Sequence, residues 1–83
     1  MNRKELLRRI SRGNTHNVKF NEFQHLIEGF GFSLRRIAGS QHIFTRAGIR
    51  GYLNLQPKRG EVSDYQVSQF LKLIEKYNLK LEE

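Results

Sequence analysis

A short segment in the middle of the chain, residues 39–44, combines a tight turn with side chains suited to phosphate chemistry. The segment reads Gly-Ser-Gln-His-Ile-Phe, so that Gln41 and His42 directly follow the turn. Histidine ordinarily titrates near neutral pH and is therefore the usual general base in proteins. Arginine side chains bind phosphate oxygens, often in pairs of hydrogen bonds. Three arginines flank the segment: Arg35, Arg36 and Arg46. The combination predicts a site that binds a phosphodiester.

Other kinds of site find no support in the sequence. The chain has no cysteine, no glycine-rich phosphate loop and no serine or cysteine nucleophile motif. Its three histidines do not recur at a metal-ligand spacing, so we expect neither a metal ion nor a cofactor. His16 and His25 are interpreted as a loop residue and a polar helix position.

The charge of the chain favours a polyanionic partner. The 83 residues carry a net charge of +7, and residues 1–60 hold twelve lysines and arginines against three glutamates. Residues 61–83 hold three lysines against five acidic residues. Such a field attracts nucleic acid or an acidic protein, although solubility alone is an alternative explanation. No apolar run suggests a signal peptide or a membrane span, so we expect a cytoplasmic protein with no membrane partner.

Helical spacing of apolar residues predicts three helices. The first covers residues 2–12, with Asn2 as its N-cap and Glu5 able to reach back to the cap. The second begins at Asn21, and the third begins after Ser63, where Ser-Asp-Tyr-Gln forms a capping box.

Between the second and third helices the pattern changes to three short strands. They cover residues 33–38, 41–46 and 52–56, and the short turns between them imply an antiparallel meander. Residues 15–19 and 58–62 are expected to be loops, and Tyr52 is expected to fill a core position rather than stack on a base. The predicted fold is therefore α+β, with helices on one face of a three-stranded sheet and the other face free.

The segment at 39–44 resembles the corresponding segment of the HicA toxins of bacterial toxin–antitoxin systems. That family has a glycine, a serine, a histidine, two variable positions and then an aromatic or apolar residue. The resemblance covers most of residues 18–81, which would form a single HicA-like domain preceded by a helical extension at 1–14. It includes these further segments: Val18-Lys19-Phe20, Gly31-Phe32, Leu53-Asn54-Leu55-Gln56-Pro57, Gly60, Tyr65-Gln66-Val67 and Leu71.

The resemblance implies a fold, an activity and two partners. The fold would be similar to a double-stranded-RNA-binding domain, and the activity would be metal-independent cleavage of messenger RNA. The partners would be mRNA and a HicB-like antitoxin protein. A histidine suits this chemistry because it can take the proton of a ribose 2′-hydroxyl as that oxygen attacks the adjacent phosphate. The expected RNA-binding residues are Arg35, Arg36, Gly39, Ser40, Arg46, Lys58 and Arg59.

This chain departs from the family at the catalytic position, because Gln41 stands where the family has its histidine. Glutamine has no group that titrates near neutral pH and cannot be a general base. His42 occupies a variable position, and strand alternation turns it toward Phe44 and the helices unless a bulge after the Gly-Ser turn re-aims it. His42 is therefore either a structural residue or a substitute base. Correspondingly, two functions stay open: an RNA-cleaving toxin, and a non-catalytic module that binds RNA or the antitoxin.

Overall fold

The computed structural model describes residues 2–82, which form three helices and five strands. Strands β2, β3 and β4 pair antiparallel in that order, and β1 pairs antiparallel with β5 in a separate small sheet. The three-stranded antiparallel meander and the three helices are those that the sequence predicts. In chain order the elements are α1 (Arg3–Ser11), β1 (Val18–Lys19), α2 (Phe20–Gly29), β2 (Ser33–Ala38), β3 (Gln41–Thr45), β4 (Leu53–Leu55), β5 (Glu61–Val62) and α3 (Asp64–Tyr77).

Two helices begin at the caps that the sequence predicts. The Asn2 side chain accepts a hydrogen bond from the Glu5 amide at 2.8 Å and donates one to the Glu5 carboxylate at 2.7 Å. At α3, the Ser63 hydroxyl accepts a bond from the Gln66 amide at 3.2 Å. The Gln66 side chain does not complete the capping box, because it donates to the backbone carbonyl of Asn54 on β4 at 3.3 Å. The N-terminus of α3 is thereby tied to one edge of the main sheet.

The start of α2 differs from the prediction. The helix begins at Phe20 instead of after an Asn21 cap, and its N-cap residue, Lys19, makes no side-chain capping bond. Lys19 belongs to β1, and the Phe20 amide donates to the Gly60 carbonyl at 2.8 Å. Pairing between β1 and β5 therefore fixes where the helix starts.

The same pairing corrects the two predicted loops. Residues 15–19 and 58–62 each end in a two-residue strand, and Val18 pairs with Val62. Both valines are buried, so these short strands close one side of the hydrophobic core. Strands of two residues leave no alternation for the sequence pattern to reveal.

The core lies between the helices and one face of the main sheet. The Phe70 ring of α3 makes edge-to-face contacts with Phe23, Phe30 and Phe32, at centroid distances of 5.3, 5.4 and 6.1 Å. The sheet contributes three buried side chains that share one face: Phe44, Leu53 and Leu55. The helices thus cover one face of the sheet at β3 and β4, as predicted.

Tyr52 is not a core residue, and the prediction that it would be is wrong. Its side chain is 63% exposed. It precedes β4, in which Leu53 and Leu55 point into the core while Asn54 points to the other face. Two residues before Asn54, the tyrosine follows the same outward alternation.

Candidate nucleic-acid interface

Alternation along β3 separates the two residues that follow the Gly-Ser turn. His42 lies opposite Leu55 and shares a face with Phe44, which is fully buried. We call this the packed face. Gln41 lies on the other side, together with Ile43. We call that the open face, because neither Gln41 nor Ile43 belongs to the hydrophobic core.

His42 packs against the start of α2. Its ring meets the Phe20 ring edge-on at a centroid distance of 4.8 Å, and its Nδ1 lies 3.2 Å from the Ser40 carbonyl oxygen. The residue is half-buried in a cleft whose other walls include Lys19 and Pro57. The alternation of the strand predicted this orientation toward the helices. These contacts hold the His42 ring against the start of α2 and occupy one of its two ring nitrogens.

Gln41 is exposed and makes one side-chain contact. Its Oε1 accepts a hydrogen bond from Asn54 Nδ2 at 3.3 Å, between strands β3 and β4. The Oδ1 atom of Asn54 is buried and has no partner among the described residues. Two adjacent amides therefore occupy the open face at the position where the resemblance expects a histidine.

A β-bulge occurs in this sheet, but in β2 and not after the Gly-Ser turn. Leu34 lies opposite Phe44, and the next paired residue, Arg36, lies opposite Ile43, so Arg35 is the extra residue. Without the bulge, alternation would turn Arg36 toward the packed face. Because two residues face one at a bulge, both arginines lie on the open face, opposite Ile43. Pairing then continues regularly from Ile37, opposite His42, so the bulge does not re-aim the histidine.

Lys58 and Arg59 lie at the same end of the sheet as Gln41. Lys58 and Glu61 exchange two backbone hydrogen bonds, at 2.9 and 3.0 Å, around a tight turn in which Arg59 and Gly60 both have positive φ. This turn follows the C-terminal end of β4, and Gln41 begins the neighbouring strand that runs the other way. The Gly39-Ser40 turn precedes Gln41 directly and is exposed, with Gly39 in the left-handed region at φ 63°.

Arg46 lies at the opposite end of β3. An extended chain of five residues spans about 17 Å, which separates Arg46 from Gln41. Its Nε donates to the Phe30 carbonyl at 2.5 Å and its Nη1 to the Ala47 carbonyl at 2.8 Å. Arg46 thus joins the end of β3 to the end of α2, a structural contact that the sequence did not reveal. Its contact with RNA stays a prediction.

The other predicted phosphate-binding cations have no side-chain partner. Within residues 2–82 none of them forms an ion pair or a side-chain hydrogen bond, and all are exposed. They are Arg35, Arg36, Lys58 and Arg59. Charged groups with no counter-ion of their own are available to a polyanion at no cost in broken ion pairs.

Metal and membrane features are not found in the part of the chain that the structure describes. Residues 2–82 contain no group of three or more histidine or acidic side chains arranged to hold a metal ion. None of the helices in this range has the length and apolar character needed to cross a bilayer.

Comparison of the chain with protein-family models, with curated proteins and with solved structures found no match.

Sequence reasoning missed two residues of this region. Asn54 has no predicted role beyond its place in the segment Leu53-Asn54-Leu55-Gln56-Pro57, although a polar residue between two leucines indicates the uncovered face. Phe20 has no predicted role beyond its place in the segment Val18-Lys19-Phe20, and no sequence signal pairs it with His42. That contact depends on the β1–β5 pairing.

Proposed function

We propose that this protein binds RNA on the open face of its sheet and is similar to the HicA toxins. Its fold would then be a variant of the double-stranded-RNA-binding domain, and it would act on messenger RNA in the cytoplasm without a metal ion. Support comes from the exposed, unpaired arginines beside Gln41 and from the basic turn at the same end of the sheet.

The chemistry that the resemblance implies needs a general base on the surface that holds the phosphodiester. The base removes the proton from a ribose 2′-hydroxyl while that oxygen attacks the adjacent phosphorus, and nearby cations stabilise the added negative charge. In this chain Gln41 lies on the open face and His42 on the packed face. From that single observation we propose that the protein, with Gln41 at this position, cleaves RNA weakly or not at all.

The second candidate is a non-catalytic module that binds RNA or an antitoxin. The hydrogen bond between Gln41 and Asn54 favours it, because paired amides offer donors and acceptors to a nucleotide but no titratable base. Both candidates use the same surface, and they differ only in the role of one side chain.

The proposed protein partner is a HicB-like antitoxin that covers residues 39–44 and presents acidic groups to the basic open face. Opposed charges accelerate association more than they strengthen the final complex. Added salt is therefore expected to slow binding before it weakens the complex.

The proposal is tested by comparing cleavage of a messenger RNA by the unmodified protein and by the variant Gln41→His. The histidine variant is expected to cleave faster by about 10²- to 10⁴-fold, the usual contribution of one general base. Gln69→His is the matched control, because it makes the same change on the exposed surface of α3. Equal cleavage rates for the unmodified protein and for Gln41→His would contradict the proposed catalytic position.

The variant His42→Ala tests the alternative in which His42 is the general base. If RNA reaches into the cleft beside Phe20, the unmodified protein should cleave RNA strongly. In that case His42→Ala should abolish cleavage without unfolding the protein. That result would assign the base to His42 and overturn our assignment.

A further inference from the structure

The two edges of the main sheet differ in how they are covered. The β4 edge is three residues long, and α3 lies against it, with Gln66 donating to the Asn54 carbonyl at 3.3 Å. The residues at both ends of this strand, Leu53 and Leu55, are buried. Because this edge is short and partly covered, it has few free backbone groups with which another strand could pair.

The β2 edge is left uncovered. All six of its residues are exposed, and β3 is its only neighbour in the sheet. Within residues 2–82, no side chain or loop forms a hydrogen bond to the backbone of β2 beyond its pairing with β3. The outward N–H and C=O groups of such a strand can pair with another extended chain.

Apolar side chains lie beside this edge. Leu34 is 40% exposed and Ile37 is 56% exposed, although both pair with packed-face residues of β3, Phe44 and His42. The helices cover the part of the packed face at β3 and β4 and leave the part at β2 open. A further strand bearing apolar residues on this face would extend the core over both side chains.

Charge selects among possible partner strands. Arg35 and Arg36 lie on the open face of β2 and have no counter-ion among residues 2–82. Antiparallel pairing of β2 with a second copy of itself would bring these arginines together, and like charges on adjacent strands are destabilising. Glutamate or aspartate on the open face of an added strand would pair with them.

We propose that the β2 edge receives one extended strand of an acidic partner protein. Its apolar residues lie beside Leu34 and Ile37, and its acidic residues lie beside Arg35 and Arg36. The bulge at Arg35 twists the strand and restricts pairing to a short segment. This inference does not rest on the proposed RNA chemistry, since it concerns the edge of the sheet and a ligand without phosphate.

A fluorescein-labelled synthetic peptide in which valine and glutamate alternate is the probe. Its binding is measured by anisotropy at low ionic strength, and amide hydrogen exchange locates it. Two control peptides are a block arrangement of the same residues and an alternating valine–lysine sequence. We expect the alternating acidic peptide to bind about tenfold more tightly than either control, since several cross-strand pairs add up to that difference. We also expect it to protect amides within residues 33–38.

Variants of the protein sharpen this test. The double variant Leu34→Ser, Ile37→Ser is expected to lose peptide binding, and Arg35→Glu with Arg36→Glu is expected to reverse the preference toward the lysine peptide. Tyr52→Ser, which removes an exposed apolar side chain beside the β4 edge, is the matched control and should bind normally. If circular dichroism shows that the double serine variant is unfolded, the test rests on the variant Arg35→Glu with Arg36→Glu. That variant should fold because both arginines are exposed.

Four results would overturn the proposal. Three of them are equal binding of all three peptides, protection located outside residues 33–38, and protection of these residues in the free protein through self-association. Protection of the β2 backbone by an RNA oligonucleotide but not by the peptide would also overturn it, and would leave the RNA proposal intact.

Discussion

Two neighbours in β3, Ile43 and Phe44, show how differently the two faces of the sheet are constrained. Phe44 is fully buried on the packed face, whereas Ile43 is half-buried on the open face and lies outside the hydrophobic core. His42 belongs with Phe44, since its ring packs on Phe20, while the Gln41 side chain forms a single hydrogen bond within residues 2–82, with Asn54. Substitutions on the packed face are therefore expected to lower the stability of the protein. Substitutions on the open face are expected to change its chemistry without changing the fold.

The largest expected effect compares Phe44→Ala with Ile43→Ala. Removing the buried ring should lower the free energy of unfolding by about 3–5 kcal/mol, which is much of the total stability of a small domain. Ile43→Ala should cost about 1–2 kcal/mol, because its side chain is only partly removed from water. Chemical denaturation of both variants measures the difference, and equal losses would mean that the two faces are not distinct.

A smaller effect is expected when Arg35 and Arg36 are both changed to alanine. Each phosphate contact to single-stranded RNA contributes about 0.7 to the slope of log affinity against log salt, so the double variant should flatten that slope by about 1.4. Lys72→Ala with Lys76→Ala removes the same charge from α3 and serves as the control. Equal slopes for the two double variants would show that the protein binds RNA through net charge and not through the open face.

Arg46→Ala is expected to act mainly on stability. Loss of its bonds to the Phe30 and Ala47 carbonyls should lower the free energy of unfolding by about 1–3 kcal/mol. Arg50→Ala, in the loop that follows β3, should change stability little because Arg50 is exposed. RNA affinities of the two folded variants then test whether Arg46 also binds phosphate, and equal values would contradict that contact.

The parts of the fold that rest on local signals could be predicted from the sequence. Asn2 and Ser63 cap their helices through side chains only three residues away from their partners, and alternation in β3 gives the orientation of His42. The antiparallel order of β2, β3 and β4 follows from their short connections. All of these depend on neighbours in sequence.

Other features depend on contacts between distant residues, which no local pattern encodes. The β1–β5 pairing joins residues more than forty positions apart and moves the start of α2 to Phe20. The bulge at Arg35 is visible only once β2 is paired with β3, and the sequence offers a bulge only as an alternative, after the Gly-Ser turn. The sequence predicts that Arg46 binds RNA, and it gives no sign of the bond to the Phe30 carbonyl because Phe30 lies on another element.

The central claim is that RNA lies on the open face beside Gln41 and away from His42. Titration of the protein with a single-stranded RNA carrying 2′-O-methyl groups, which cannot be cleaved, tests it by nuclear magnetic resonance. We predict that the Gln41 side-chain amide signals shift on binding while the His42 ring signals do not. Shifts of the His42 ring with unchanged Gln41 amide signals would contradict the account.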